Sequence, residues 1–346
     1  MEMKQALQTV INGGTLTSES AEVAMGQIMA GEATHAQIAG FLTALRMRGE
    51  TVEEITGFAR AMRRCSTKVE CSLGGLVDTC GTGGDGAETF NISTTASFVA
   101  AAAGVPIAKH GNRAVSSKSG SADVLQALGV EIALTQEQAA YCLEQVGIAF
   151  LFAQSYHPAM KHAIGPRREL GFRTVFNVLG PLTNPAGAKR QVIGTFHPDL
   201  VDKMAQVLAD LGTEHALVVH GHDGLDEITV TGPTKIAEVR DGRVERVYTL
   251  TPEEVGLCRH GIEELKGGDA VLNAEIAKGI LSGALGAARD VVVFNAAATI
   301  YVAGLAGSIR EGVQLAQDAI DSGRANAVLQ NLIYTSQQLT QEKELA

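Results

Sequence analysis

Residues 78–94 read DTCGTGGDGAETFNIST, and within them Gly81-Thr82-Gly83-Gly84-Asp85-Gly86 satisfies the pattern G-x-G-x-x-G. Glycines tolerate positive φ and let a ligand approach the backbone closely. A loop of this kind leading into a helix aims free N–H groups at an anion. Taken alone, the stretch fits a phosphate cradle and a plain strand-to-helix turn equally well. A dinucleotide site demands more, namely an acidic residue about 20 positions on, at the end of the second strand. Here that strand ends in Lys109-His110-Gly111-Asn112-Arg113, and no Asp or Glu occurs from Thr89 to Ala122. Asp85, inside the loop, would repel a pyrophosphate unless a cation or a ribose hydroxyl intervened. Both points count against NAD.

The same window suits a different anion. Asn91, Ser93 and Thr94 fall where a helix begins and can cap it or bind phosphate. Ser116-Ser117-Lys118-Ser119-Gly120-Ser121 occupies the equivalent place before the next helix, and Lys109, Arg113 and Lys118 supply positive charge. Two helix N-termini and a basic strand end are expected to converge on a ligand with more than one phosphate. The competing reading is a set of caps and a solvated basic loop. Such a ligand calls for Mg2+, which wants hard oxygen donors. Asp226-Glu227, in Gly224-Leu225-Asp226-Glu227-Ile228, is the candidate; an Asp-Glu pair is also common as plain solvated surface. His215, His220 and His222 fall on mixed faces of a strand with no cysteine nearby, which disfavours zinc.

These residues need a scaffold. Residues 1–66 read as short amphipathic helices, with capping boxes at Thr34-His35-Ala36-Gln37 and Thr51-Val52-Glu53-Glu54. From Gly74-Gly75 the rhythm changes. LVDTC (76–80), VPIAKHG, IAFLFA (148–153), QVIGTF (191–196), ALVVHG (216–221) and TKIAEVR (234–240) read as strands separated by helical stretches, which implies an α/β domain with a mostly parallel central sheet. VVVFNAAATIYVAG is apolar nearly all round and reads as a buried helix. The expected division is a small helical domain over 1–70 and an α/β domain over 71–346. The Gly-, Pro- and Arg-rich stretch 165–190 reads as an irregular connection or hinge, part of it packing on the helical domain.

The chain of 346 residues is 45% hydrophobic and only 4% aromatic, so its core is aliphatic and alanine-rich. A formal charge of -10 argues against general binding to nucleic acid or a membrane surface. The longest apolar stretch, ASFVAAAAGVPIA, is 13 residues and contains Gly104 and Pro106, too short to span a bilayer. MEMKQALQTVING has no signal-peptide core. The 5 cysteines are scattered without a C-x-x-C, which fits reduced thiols in a cytoplasm.

Together DTCGTGGDGAETFNIST, KHGNRAVSSKSGSADVLQALG, HPAMKHAIGPRRELGFRTVFNVLGPLTNPA and HDGLDEIT resemble the anthranilate phosphoribosyltransferase family, in order over nearly the whole chain. The resemblance implies a helical domain plus an α/β domain of the nucleoside phosphorylase/phosphoribosyltransferase type, paired as a homodimer through the helical domains. It implies transfer of the phosphoribosyl group of phosphoribosyl pyrophosphate to anthranilate, with Mg2+, in tryptophan biosynthesis. By position, Gly81, Gly84, Asp85, Thr89, Asn91, Ile92, Ser93, Thr94, the segment Lys109, His110, Gly111, Asn112, Arg113, Ala114, Val115, Ser116 and Ser117, and then Ser121 match the family's phosphoribosyl pyrophosphate contacts. Ser93, Asp226 and Glu227 match its magnesium ligands; Gly81, Asn112 and Arg167 match its anthranilate contacts. Arg168 stands where lysine is common in the family, and His162 and Gly165-Pro166 also depart from its usual form. No strong general base stands out, with His110 the one candidate to orient the substrate or take a proton late. A pyrimidine nucleoside phosphorylase or a non-catalytic nucleic-acid-binding relative on the same fold is the alternative.

Overall fold

Four helices open the chain: α1 (Met3–Ile11), α2 (Ser18–Ala30), α3 (His35–Arg48) and α4 (Val52–Cys65). The two capping boxes form as their sequences require: Thr34 accepts from the Gln37 N–H and Thr51 from the Glu54 N–H, with each N3 side chain reaching back. Glu54 is fully buried, accepts the Leu16 and Thr51 N–H groups, and pairs with Arg48. The computed structural model describes residues 2–114 and 118–344.

The remainder alternates strand and helix. β1 (Val77–Thr79), α5 (Ile92–Ala102), β2 (Ile107–Gly111), α6 (Ser121–Leu128), α7 (Gln136–Val146) and β3 (Ile148–Phe152) come first. Next are α8 (Ala153–Tyr156), α9 (Lys161–Leu170), α10 (Phe176–Leu179), β4 (Arg190–Gly194), α11 (Asp199–Asp210), β5 (His215–Gly221), β6 (Thr234–Arg240) and β7 (Arg243–Leu250). Four helices close the chain, α12 (Ala270–Leu281), α13 (Ala287–Ala303), α14 (Ile309–Asp321) and α15 (Arg324–Glu344). The strands form one sheet in the order β3-β2-β1-β4-β5-β6-β7, parallel up to β5 and antiparallel thereafter. β7 is the strand that sequence reading passed over. Its alternation is almost wholly exposed, and what makes it a strand is the Asp241-Gly242 turn, both residues at positive φ, which returns the chain along β6.

Alternate strand residues feed different cores. Val192, Leu217, Val219 and Ile236 join α5, α13 and the C-terminal helices; Ile193, Ala216, Val218 and Ala237 face the other way, toward α11 and the N-terminal helices. Ala163 of α9, Val175 and Phe176 to Leu182 also pack in that second core, with Met25, Phe41 and Phe58. Much of 165–190 is therefore ordered by burial. Its first part is a regular helix with Pro166 inside, where an irregular connection was expected.

The hairpin is held by Glu238, whose fully buried carboxylate accepts from His215 Nε2 (2.9 Å), Arg240 Nη2 (2.9 Å), Tyr301 Oη (2.8 Å) and Arg246 Nη2 (2.8 Å). Burial alone would raise its pKa, but these hydrogen bonds together hold the carboxyl far below the usual range. A depressed folded pKa stabilises above the unfolded value and loses that contribution as pH falls through the folded one. Glu238→Gln is expected to cost about 2 kcal/mol at pH 7. The gap from wild type in thermal unfolding should narrow steadily below about pH 4.

Candidate functional site

The carboxyl ends of β1, β2, β4 and β5 lie side by side, and the loops leaving them meet in one cleft, the usual ligand position in an open α/β sheet. The glycine loop leaves β1. Gly83, Gly84 and Gly86 take positive φ, which bends the loop over the strand ends. It is stitched to β4: Thr82 N–H donates to Gly194 O at 2.9 Å, and Phe196 N–H donates to Thr82 Oγ1 at 3.1 Å. Arg173 stacks over Phe196 and donates to Gly84 O, reaching the loop from the segment between α9 and α10.

Asp226 and Glu227 follow β5 and sit half-buried in the wall of this cleft. Asp226 Oδ2 accepts from the Gly83 N–H at 2.8 Å, and Glu227 Oε1 accepts from the Ser93 N–H at 3.1 Å, at the first turn of α5. A small cleft opens beside Glu227, lined by Thr79, Gly81, Ser93, Glu227, Asn295 and Thr299. Loss of water pushes the pKa of both carboxyls up. Asp85 adds repulsion at Asp226, and Asp226 does so at Glu227. Neither forms an ion pair among the described residues.

The pair fits a divalent ion. Both hard carboxylates have raised proton affinity, Asp226 with Asp85 beside it and Glu227 with Asp226, neither has an ion-pair partner among the described residues, and Ser93 stands opposite Glu227. Among the described residues no three metal-ligating side chains form a ready-made cage. The remaining coordination would fall to phosphate oxygens and water, the usual arrangement for Mg2+.

Asn91 is the N-cap residue of α5, yet its side chain makes no capping bond. It donates to Ser119 O at 3.1 Å and accepts from Asn273 Nδ2 at 2.9 Å, tying the glycine loop to the β2–α6 loop and to α12. Ile92 and Thr94 are buried in the helix start, while Thr89 pairs with Lys266 in an isolated bridge. Ser121 Oγ donates to Asn112 O at 3.2 Å, and Asn112 Oδ1 accepts from the Arg113 N–H at 2.8 Å. Val115, Ser116 and Ser117 lie outside the described residues.

The cations differ from expectation. Lys109 is 4% exposed and its Nζ donates to Thr79 O and Oγ1, so it lies beneath the cleft as an internal cation. Arg113 pairs with Asp123 at 2.8 Å and Lys118 with Glu88 at 3.1 Å. Asp123 also accepts the Ala114 and Gly120 N–H groups, so the first turn of α6 carries its own carboxylate in place of an open anion site. The acid-free window ends one residue short of each of these partners.

His110 is buried, with Nδ1 3.1 Å from Gly180 O and its ring 5.1 Å from that of His157. Burial pushes its pKa down to about 3, which makes it a weak proton acceptor at pH 7. Arg167 stacks on Phe176 at 4.9 Å, half-buried, with no carboxylate partner among the described residues. Asn295, Asn273 and Arg173 escaped sequence reading, since each comes from a distant element and belongs to no local motif.

Residues 73–326 match the glycosyl transferase family, a/b domain, and residues 4–66 its helical bundle domain. An anthranilate phosphoribosyltransferase of Moorella thermoacetica is 56% identical over 331 residues, 96% of this chain and 97% of that protein. One from Rubrobacter xylanophilus is 56% identical over 338 residues, 97% of this chain and 98% of its own. This chain belongs to the anthranilate phosphoribosyltransferase branch of that glycosyl transferase family. The crystal structure of the anthranilate phosphoribosyltransferase from Thermus thermophilus has a TM-score of 0.91 at 45% identity, covering 96% of this chain and 99% of that one. The anthranilate phosphoribosyltransferase of Saccharomyces cerevisiae, in complex with PRPP and Mg, has a TM-score of 0.89 at 28% identity, covering 97% and 98%. No helix among the described residues is long and apolar enough to cross a membrane.

Backbone crowding at the carboxylate pair makes a sharp test. A Cβ on Gly194 would stand 1.6 Å from the Asp226 carbonyl oxygen, a contact no side-chain rotation relieves. Gly194→Ala should lower kcat/KM by at least about 100-fold, the cost of displacing a site by roughly 1 Å. Its thermal stability should fall as well, as steady-state rates and a melting curve would read.

Proposed function

We infer that this chain transfers the phosphoribosyl group of phosphoribosyl pyrophosphate to the amine of anthranilate, releasing pyrophosphate, a step of tryptophan biosynthesis. The observation that carries the reading is the carboxylate pair, Asp226 and Glu227, fixed by the glycine loop and by the first turn of α5. It joins a full-length likeness to enzymes of that name.

In the reaction the bond from ribose C1 to pyrophosphate breaks and its electron pair leaves with pyrophosphate. The lone pair of the amine forms the new C1–N bond, and one amine proton is released. The glycine-loop amides and the N-terminus of α5 present preorganised donors to the anionic ligand. Asp226, Glu227 and Ser93 would hold Mg2+, which when bound offsets charge on the departing pyrophosphate. The half-buried fork of Arg167 suits the anthranilate carboxylate, and its lack of a carboxylate partner among the described residues supports that role. An aromatic amine is already neutral at pH 7, so attack needs no strong base. His110, neutral and anchored to Gly180, suits orientation.

A homodimer through the helical bundle is part of the proposal, supported by Ile11, Val23 and Met47, apolar and exposed on α1, α2 and α3. A cytoplasmic setting is supported by 5 unpaired cysteines.

The test is the loss of anthranilate fluorescence on adding phosphoribosyl pyrophosphate, with and without Mg2+; absence of turnover with both substrates and metal would refute the reading. Asp226→Asn with Glu227→Gln is expected to raise the Mg2+ needed for half-maximal rate about 10-fold or more and to cut kcat. Arg167→Ala should raise the KM for anthranilate by about 10- to 100-fold, the loss of a charge-assisted hydrogen bond, and leave that for phosphoribosyl pyrophosphate nearly unchanged.

A further inference from the structure

A metal-binding pair on a loop holds its geometry only if a rigid element supports it. The loop carrying Asp226 and Glu227 is braced from in front by Asp223, which accepts from Thr229 Oγ1 and Thr231 Oγ1, both at 2.5 Å. The support from behind comes from α13. Asn295, 3% exposed, accepts the Ile228 N–H through Oδ1 at 3.0 Å and donates through Nδ2 to Ile228 O at 2.8 Å and to Val291 O at 2.9 Å. Ile228 directly follows Glu227. A side-chain amide is the group that can satisfy both the N–H and the C=O of one residue, and this one does so within an otherwise apolar stretch, VVVFNAAATIYVA. Asn295 also lines the cleft beside Ser93 and Glu227.

We propose that Asn295 is a positioning residue for the metal-binding carboxylates. Its two-point grip on Ile228 sets the direction of the 226–228 backbone, so that Glu227 faces the first turn of α5 and Asp226 faces the glycine loop. The loop is thereby referenced to the most deeply buried helix of the α/β domain, and the two halves of the metal site share one rigid support. This inference rests on the reading of Asp226 and Glu227 as Mg2+ ligands.

The test is calorimetric titration of Mg2+ into the full-length protein with phosphoribosyl pyrophosphate present and anthranilate absent, beside melting curves and both KM values. Asn295→Ala and the isosteric Asn295→Asp should weaken Mg2+ binding about 10-fold while the KM for anthranilate stays within about two-fold. Tyr301→Phe, which removes a hydrogen bond to Glu238 from the same helix at a residue that does not line the cleft, should lower the melting temperature without moving the Mg2+ titration. A Mg2+ titration unchanged in both Asn295 variants overturns the proposal. So does a shift that Tyr301→Phe reproduces, or failure of both Asn295 variants to fold, either of which would leave a purely structural role. If wild type itself shows no Mg2+-dependent binding of phosphoribosyl pyrophosphate, the parent reading fails first.

Discussion

Two adjacent carboxylates, Asp226 and Glu227, are held together in a place where they repel each other and have lost much of their water. Left alone, such a pair would take up a proton or turn outward. The fold prevents the second outcome with modest means, while burial and repulsion still raise the proton affinity of both groups. One backbone N–H serves each acid, and the one on Glu227 belongs to the positive end of a helix. The buried ammonium of Lys109 adds a favourable field at Glu227 without pairing with it. What remains is a carboxylate pair of raised proton affinity, with no ion-pair partner among the described residues, whose natural complement is a small divalent ion.

That constraint propagates into the backbone. The loop after β5 presses on β4 so closely that position 194 has no room for a side chain. Position 81 is similarly crowded, since a Cβ there would stand 2.5 Å from Asp226 Oδ2. The glycines of this region therefore divide by physical task. Gly81 and Gly194 make space, whereas Gly83, Gly84 and Gly86 supply left-handed turns. Only the second group belongs to the usual logic of a glycine-rich phosphate loop.

Much of this was legible in the residues. The capping boxes, the parallel strands and the buried character of α13 follow from local chemistry and hydrophobic period, and the structure has them. The Asp-Glu pair and the glycine loop could be named, but their meeting could not, because it depends on β1 and β5 flanking β4 in the sheet. Two features differ from the sequence reading for definite reasons. β7 carries no buried face to give it a period. The helix through Pro166 is stabilised by burial against α2 and α3 rather than by propensity. At the N-terminus of α6 the capping acid, Asp123, stands one residue beyond the acid-free run from Thr89 to Ala122.

The positive charges show why composition alone overstates a site. Lys109, Arg113 and Lys118 count equally in a sequence, yet they occupy three physical situations. Arg113 and Lys118 make exposed ion pairs with Asp123 and Glu88, contacts worth about 0–1 kcal/mol each and readily exchanged for a phosphate. Lys109 is committed to Thr79 below the cleft, and releasing it would strand a buried ammonium and a buried carbonyl. Under the phosphoribosyl reading, the two surface cations are free to follow the ligand, while Lys109 tunes the strand ends and the carboxylates from within. Preorganisation at this site thus comes mainly from neutral backbone N–H groups and a buried amide. Mobile charge supplies adjustment rather than shape.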